Sequence, residues 1–75
     1  MNYTPDEALK AAVAIGGGQK RVAEALGISQ AAVSQWMLRG RLPVERVLQL
    51  ERLTGGKVPR GLLRPDIYPE DRQAD

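Results

Sequence analysis

Polar and small side chains suited to contact a ligand cluster in the middle of the chain. Two amides, Gln30 and Gln35, alternate there with the small residues Ser29, Ala31 and Ser34. A glutamine amide can bond both to N6 and to N7 of adenine, and an alanine can contact the methyl group of thymine. This stretch contains no Asp or Glu, which DNA phosphates would repel. The pattern predicts a surface for base edges in double-stranded DNA, made by Ser29, Gln30, Ala31, Ser34 and Gln35.

Positive charge surrounds this stretch. Residues 19–41 carry a net charge of +3, and residues 65–75 carry a net charge of −3. A basic patch favours a polyanionic partner. Amide and cationic side chains near helix ends are typical of sequence-independent phosphate contacts. The predicted phosphate contacts are Gln19, Lys20, Arg39 and Arg41.

The composition argues against most other functions. The chain has 75 residues, a net charge of +2, no cysteine and no histidine. It therefore lacks the usual zinc ligands, the thiol nucleophile and the imidazole base. No phosphate loop or nucleophile–base pair can be assembled from the remaining residues, so we expect neither an enzyme nor a cofactor. No signal peptide or membrane span is evident, and we expect a cytoplasmic protein without membrane contact.

Two short helices joined by a tight turn are predicted to hold these side chains. The second predicted helix runs from Gly18 or Gln19 to Leu26, and the third runs from Gln30 to Arg39. A small residue, Ala23, stands where two such helices touch, and Gly27 supplies the turn. Apolar residues at helical spacing lock the pair: Val22, Leu26, Ile28, Val33 and Trp36. This set of residues predicts a helix-turn-helix. Its second helix, which is the third helix of the chain, is expected to enter the major groove. An ordinary solvated face for Gln30, Ser34 and Gln35 is the alternative, and Trp36 is expected in the core instead of on a base.

The rest of the chain predicts an all-α fold with four to five short helices. The first helix begins with the cap Thr4-Pro5 and ends at the glycines after Ile15. A fourth helix is expected from Pro43 to about Thr54, and one further helical turn within residues 58–63. We expect Ile67 and Tyr68 to pack onto the core, and Glu51 to be partly buried and hydrogen-bonded. Residues 1–69 are predicted to form a single domain, and residues 70–75 a flexible acidic tail.

Several segments resemble one known family. These are Gly17-Gly18-Gln19, Val22-Ala23-x-x-Leu26-Gly27-Ile28-Ser29, Ala32-Val33-Ser34-x-Trp36, Leu50-Glu51-x-x-Thr54-Gly55-Gly56 and Leu63-Arg64-Pro65-Asp66-Ile67-Tyr68-Pro69. From about Leu9 to Pro69 the chain is similar to the YdaS-type, Cro-like helix-turn-helix proteins of phages and prophages, which have a lambda-repressor-like fold. The resemblance implies operator binding, with the DNA-contacting positions at Gln19, Ser29, Gln30, Ala31, Ser34 and Gln35. The chain departs from the family pattern at Pro59-Arg60-Gly61-Leu62.

Two functions are therefore expected, from different classes. The first is a sequence-specific transcriptional repressor that binds an inverted-repeat operator as a homodimer, because one recognition helix contacts only a few base pairs. The alternative is an antitoxin-type module that binds a co-encoded toxin and also regulates its own operon.

Overall fold

A computed structural model describes residues 4–69, and within this range the chain forms five α-helices, one 3-10 turn and no β-strand. The elements are α1 (Pro5–Ile15), α2 (Gln19–Leu26), α3 (Gln30–Arg39), a 3-10 turn (Val44–Arg46), α4 (Val47–Leu53) and α5 (Arg60–Leu63). The all-α prediction is confirmed. The predicted acidic tail, residues 70–75, lies outside the described residues. None of the helices in the described range is long and apolar enough to span a bilayer.

Side-chain caps set the starts of α1 and α3. The Thr4 hydroxyl accepts a hydrogen bond from the Glu7 N–H at 3.1 Å, and the Glu7 carboxylate accepts one from the Thr4 N–H at 2.9 Å. This reciprocal pair satisfies two N–H groups at the helix start. At α3, the Ser29 hydroxyl accepts from the Ala32 N–H at 3.1 Å. Each such cap contributes about 1 kcal/mol to stability, so the start of α3 is well defined.

One hydrophobic core joins all five helices. Its fully buried members include one residue from each helix in turn: Leu9, Val22, Val33, Leu50 and Leu63. The most extensive helix–helix contact is between α2 and α3, while α1 contacts α2, α3 and α5. Helix α4 packs against α2 and α5. The other helices therefore hold α2 and α3 in a fixed relative orientation.

The fourth helix begins differently from the prediction. A continuous α-helix was expected from Pro43, whereas the structure has a 3-10 turn before α4. The Arg46 N–H donates to the Pro43 carbonyl at 3.0 Å, which closes the tighter i to i+3 turn. Pro43 offers no side-chain cap, and Val44 is β-branched, so an α-helical first turn is weakly favoured here. The prediction was wrong because apolar spacing does not distinguish the two kinds of turn.

The segment after α5 confirms one packing prediction and corrects another. Tyr68 is partly buried and packs against the core. Ile67 is 41% exposed, so its predicted packing onto the core was wrong. The N–H groups of Ile67 and Tyr68 both donate to the Arg64 carbonyl, at 3.0 and 2.9 Å. Successive side chains of such a tight turn point in different directions, and only Tyr68 faces the core.

Glu51 is the partly buried carboxylate that the sequence predicted on α4. Its side chain is 17% exposed. The carboxylate accepts the Arg60 N–H at 2.9 Å and the Arg60 Nε at 3.2 Å. The Arg60 guanidinium in turn lies 5.6 Å from the centre of the Tyr68 ring. Since Pro59 gives α5 no side-chain cap, Glu51 supplies it from another helix and ties α5 to α4.

Candidate nucleic-acid interface

The turn between α2 and α3 has the geometry that a helix-turn-helix requires. Gly27 follows α2 with a φ of +71°, a left-handed conformation that glycine adopts without strain. The Ile28 N–H donates to the Ala23 carbonyl at 3.0 Å and closes the turn. Ala23 is buried, and Ile28 packs against the core. The roles predicted for these three residues are confirmed.

Two core residues determine which face of α3 points outward. Val33 is fully buried and Trp36 is 7% exposed, so the indole lies in the core as its spacing predicted. Residues three apart share one face of a helix, and both of these anchor the same face. Leu38, on the other side, is 82% exposed. Met37 also packs against the core, so the outward face of α3 is formed by the exposed positions on the other side of the helix.

The five predicted base-contacting residues lie on this outward face or at its start. Ser29, Gln30, Ala31 and Gln35 are exposed, and Ser34 is half-buried. The Ser29 oxygen caps the helix, but its hydroxyl hydrogen remains available as a donor. The face is thus a strip of amide, hydroxyl and methyl groups, which are the groups that contact base edges in the major groove.

Gln19 is tied to this strip by a hydrogen bond between helices. The Ser34 hydroxyl donates to Gln19 Oε1 at 2.5 Å, although the two residues are 15 positions apart in sequence. Because the amide oxygen accepts this bond, the amide nitrogen keeps both of its hydrogens for another acceptor. The start of α2, where a phosphate contact was predicted, therefore lies beside the predicted base-contacting residues.

The three predicted cationic contacts are all exposed, but their surroundings differ. Within residues 4–69, Lys20 and Arg39 have no carboxylate at salt-bridge distance. The Arg41 guanidinium lies 3.6 Å from the Asp66 carboxylate. Gly40, with a φ of +66°, reverses the chain between the two arginines. Among the described residues, Lys20 and Arg39 therefore have no anionic partner, while Arg41 has one.

The sequence did not predict the role of Arg64. This residue is 9% exposed, and its guanidinium donates to the Leu42 carbonyl at 2.7 Å. It also donates two hydrogen bonds to the Asp66 carboxylate, at 3.0 and 2.8 Å. These bonds, with a smaller Coulombic contribution, lower the pKa of Asp66 from 3.8 to about 2 and raise the pKa of Arg64. The Arg64-Pro65-Asp66 spacing is a local signal for the pair, but nothing local indicates the contact with Leu42.

Sequence comparison relates the chain to proteins of bacteria and phages. A family model described as bacterial toxin YdaS matches residues 9–72. The YdaS protein of Escherichia coli strain K12, named as a transcriptional regulator, is 48% identical over 59 residues, which are 77% of this chain and 60% of that protein. The Gene 30 protein of Enterobacteria phage phi80 is 40% identical over 60 residues, covering 79% of this chain and 80% of that protein.

A solved structure shares the fold. The Cro protein from the prophage element Xfaso 1 of Xylella fastidiosa strain Ann-1 matches with a TM-score of 0.76 and 42% sequence identity. The match covers 80% of this chain and 92% of that chain. The alignment with the E. coli relative spans less than two thirds of that protein's length. On the family match, the identities and the shared fold, the chain belongs to the YdaS family and is a Cro-like protein of the phage and prophage type.

Proposed function

We propose that this chain is a sequence-specific repressor that binds operator DNA in the cytoplasm of a bacterial host. Residues 1–69 act as a single DNA-binding domain. Helix α3 enters the major groove, where Ser29, Gln30, Ala31, Ser34 and Gln35 contact base edges. Gln19, Lys20, Arg39 and Arg41 contact the phosphates on either side.

The observation that carries this proposal is that the two amide side chains on the outward face of α3 have no partner within the described residues. Within the described range, the side chains of Gln30 and Gln35 make no hydrogen bond to the rest of the molecule. In the same range, no buried side-chain nitrogen or oxygen lacks a partner. Polar groups left free on a rigid helix, beside unpaired cations, fit an external ligand that carries both base edges and phosphates.

A dimer completes the proposal. One recognition helix contacts few base pairs, and helix-turn-helix dimers bind half-sites about 34–36 Å apart. The described residues extend over 32, 23 and 20 Å. Two copies side by side on one face of the duplex therefore suit this spacing.

The proposal can be tested with Lys20→Ala, using Lys57→Ala as the matched control. Both lysines are exposed, but Lys57 lies between α4 and α5, outside the predicted interface. We expect Lys20→Ala to weaken binding to every duplex and to reduce the slope of log affinity against log salt by about one. Lys57→Ala should leave the slope unchanged. Equal salt slopes for wild type and Lys20→Ala would show that Lys20 does not contact a phosphate.

A second candidate function rests on the family description, which names a bacterial toxin. The antitoxin alternative from the sequence belongs to the same class, since both would act by binding another protein. Induced expression of the full chain in a bacterial host, with and without Gln30→Ala, separates action through DNA from action on a protein target. A growth effect that disappears with Gln30→Ala supports action through DNA. A growth effect that persists favours a protein target, which co-purification would then identify.

A further inference from the structure

The two arginines that flank Gly40 differ in one respect. Both are exposed and line one cleft of about 340 Å³ together with Gly40 and Asp66. Arg39 has no carboxylate at salt-bridge distance within residues 4–69, whereas the Arg41 guanidinium lies 3.6 Å from the Asp66 carboxylate. Within residues 4–69, a counter-charge therefore lies beside Arg41 and none lies beside Arg39.

A buried residue holds this counter-charge in place. Arg64 donates two hydrogen bonds to the Asp66 carboxylate and a third to the carbonyl of Leu42. Leu42 follows Arg41 directly in the chain. One guanidinium therefore fixes both the backbone next to Arg41 and the carboxylate beside its side chain. With a pKa of about 2, Asp66 is ionised at neutral pH.

We propose that Asp66 sets the strength of DNA binding by partly neutralising Arg41. This inference rests on the proposed function, because it requires a DNA phosphate at the turn around Gly40. A phosphate that binds Arg41 must approach a fixed carboxylate of its own sign. Fewer counterions are then released at Arg41 than at Arg39, so Arg41 contributes less to sequence-independent affinity.

This arrangement has a consequence for operator recognition. Phosphate contacts strengthen binding to every sequence, and a large excess of non-cognate DNA competes with any operator. A carboxylate that weakens one phosphate contact lowers the affinity for this non-cognate DNA. The C-terminal segment, which supplies Arg64 and Asp66, thereby acts on DNA binding without contacting a base.

The test measures the affinity of the full chain for a random-sequence duplex over a range of salt concentrations. Asp66→Asn preserves the shape of the side chain and removes its charge. We expect about two- to fivefold tighter binding, the scale of an exposed ion pair, and a steeper salt dependence. The same change in an Arg41→Ala background should give much less of this gain. An equal gain in both backgrounds, or weaker binding by Asp66→Asn, would overturn the proposal.

Asp6 provides a matched control. A Cβ placed on Gly40 would lie 3.0 Å from Asp6 Oδ1, so this carboxylate borders the same turn. Within residues 4–69, the Asp6 carboxylate lies 3.2 Å from the Lys10 ammonium and has no arginine at salt-bridge distance. Asp6→Asn should therefore give a smaller gain, which persists in the Arg41→Ala background. A gain equal to that of Asp66→Asn would overturn a specific role for Asp66.

A second comparison does not depend on the folding of Asp66→Asn. Arg39→Ala should reduce the salt slope by about one, and Arg41→Ala should reduce it by clearly less. Equal reductions would overturn the inference while leaving the DNA-binding proposal intact. A folded wild-type chain that binds no duplex even at low salt would contradict the proposed function itself, and the inference with it.

Discussion

The outward face of α3 and the segment from Arg60 to Pro69 use polar side chains in opposite ways. On α3, Gln30 and Gln35 are exposed and have no partner within the described residues. In the C-terminal segment, Arg64 is buried and makes three hydrogen bonds. The polar residues of the described range therefore fall into two groups. Paired groups hold the molecule together, and unpaired groups on a rigid element are available to a ligand.

The comparison predicts that substitutions in the two regions affect different measurements. Loss of the buried Arg64 in the C-terminal segment should mainly lower the free energy of unfolding. Changes on the outward face of α3 should leave folding intact and alter DNA binding. Ser34 belongs to both groups, because it lies on the outward face and yet donates a hydrogen bond to Gln19.

The largest effect is expected for Arg64→Ala. We expect the free energy of unfolding to fall by about 2–3 kcal/mol, since hydrogen bonds from a charged group are lost and the Leu42 carbonyl is left unpaired. Urea denaturation, followed by the fluorescence of Trp36, measures this change. Arg39→Ala is the control and should alter stability by less than about 0.5 kcal/mol, because Arg39 is exposed. Similar stabilities for the two variants would show that the hydrogen bonds of Arg64 do not stabilise the fold.

Gln30→Ala should weaken DNA binding and leave the stability of the fold unchanged. Its affinity for the preferred duplex should fall by about 1–3 kcal/mol, and discrimination at the contacted base pair should relax. Its free energy of unfolding, measured by urea denaturation, should match that of the wild type within about 0.5 kcal/mol. Titrations on the preferred duplex and on a scrambled duplex measure the difference. Equal losses on both duplexes would show that Gln30 contacts no base.

A smaller effect on stability is expected for Ser34→Ala. Loss of the hydrogen bond to Gln19 should lower the free energy of unfolding by about 1 kcal/mol. Gln35→Ala, one position along the same helix, removes an exposed amide that has no partner within residues 4–69, so it should not destabilise the fold. The two variants are compared by urea denaturation. Equal stability would show that the contact between Gln19 and Ser34 does not couple α2 to α3.

The smallest effect concerns the pH dependence of stability. Arg64 lowers the pKa of Asp66 from 3.8 to about 2, so the ionised carboxylate is favoured in the folded state. Its contribution to stability is therefore complete above about pH 4 and is lost as the pH falls toward 2. The difference in unfolding free energy between wild type and Asp66→Asn should be constant near neutrality and shrink over this range. A difference that grows on acidification would contradict the assigned ion pair.

The helix-turn-helix could be predicted because its signals are local. The cap at Ser29, the turn at Gly27 and the spacing of Val33 and Trp36 all lie within a few residues of the elements they determine. The start of α4 and the exposure of Ile67 were predicted wrongly. Apolar character alone fixes neither the type of a helical turn nor the direction of a side chain after it.

The role of Arg64 could not be predicted for a different reason. Its partner at Leu42 is a backbone carbonyl 22 residues away, and any residue at that position would present the same group. Most of the predicted DNA-contacting residues are exposed, with Gln19 and Ser34 half-buried, which agrees with the proposed interface. Their contacts with DNA stay predictions. Which amide meets which base depends on the operator, and the protein sequence does not encode the operator.

Selection from a randomised duplex library by the purified full chain, at moderate salt, tests DNA recognition by α3 most directly. We expect enrichment of an inverted repeat whose half-sites lie about 34–36 Å apart, with the preference at one position relaxed by Gln30→Ala. A folded chain that enriches no sequence would contradict the proposed role of the outward face of α3.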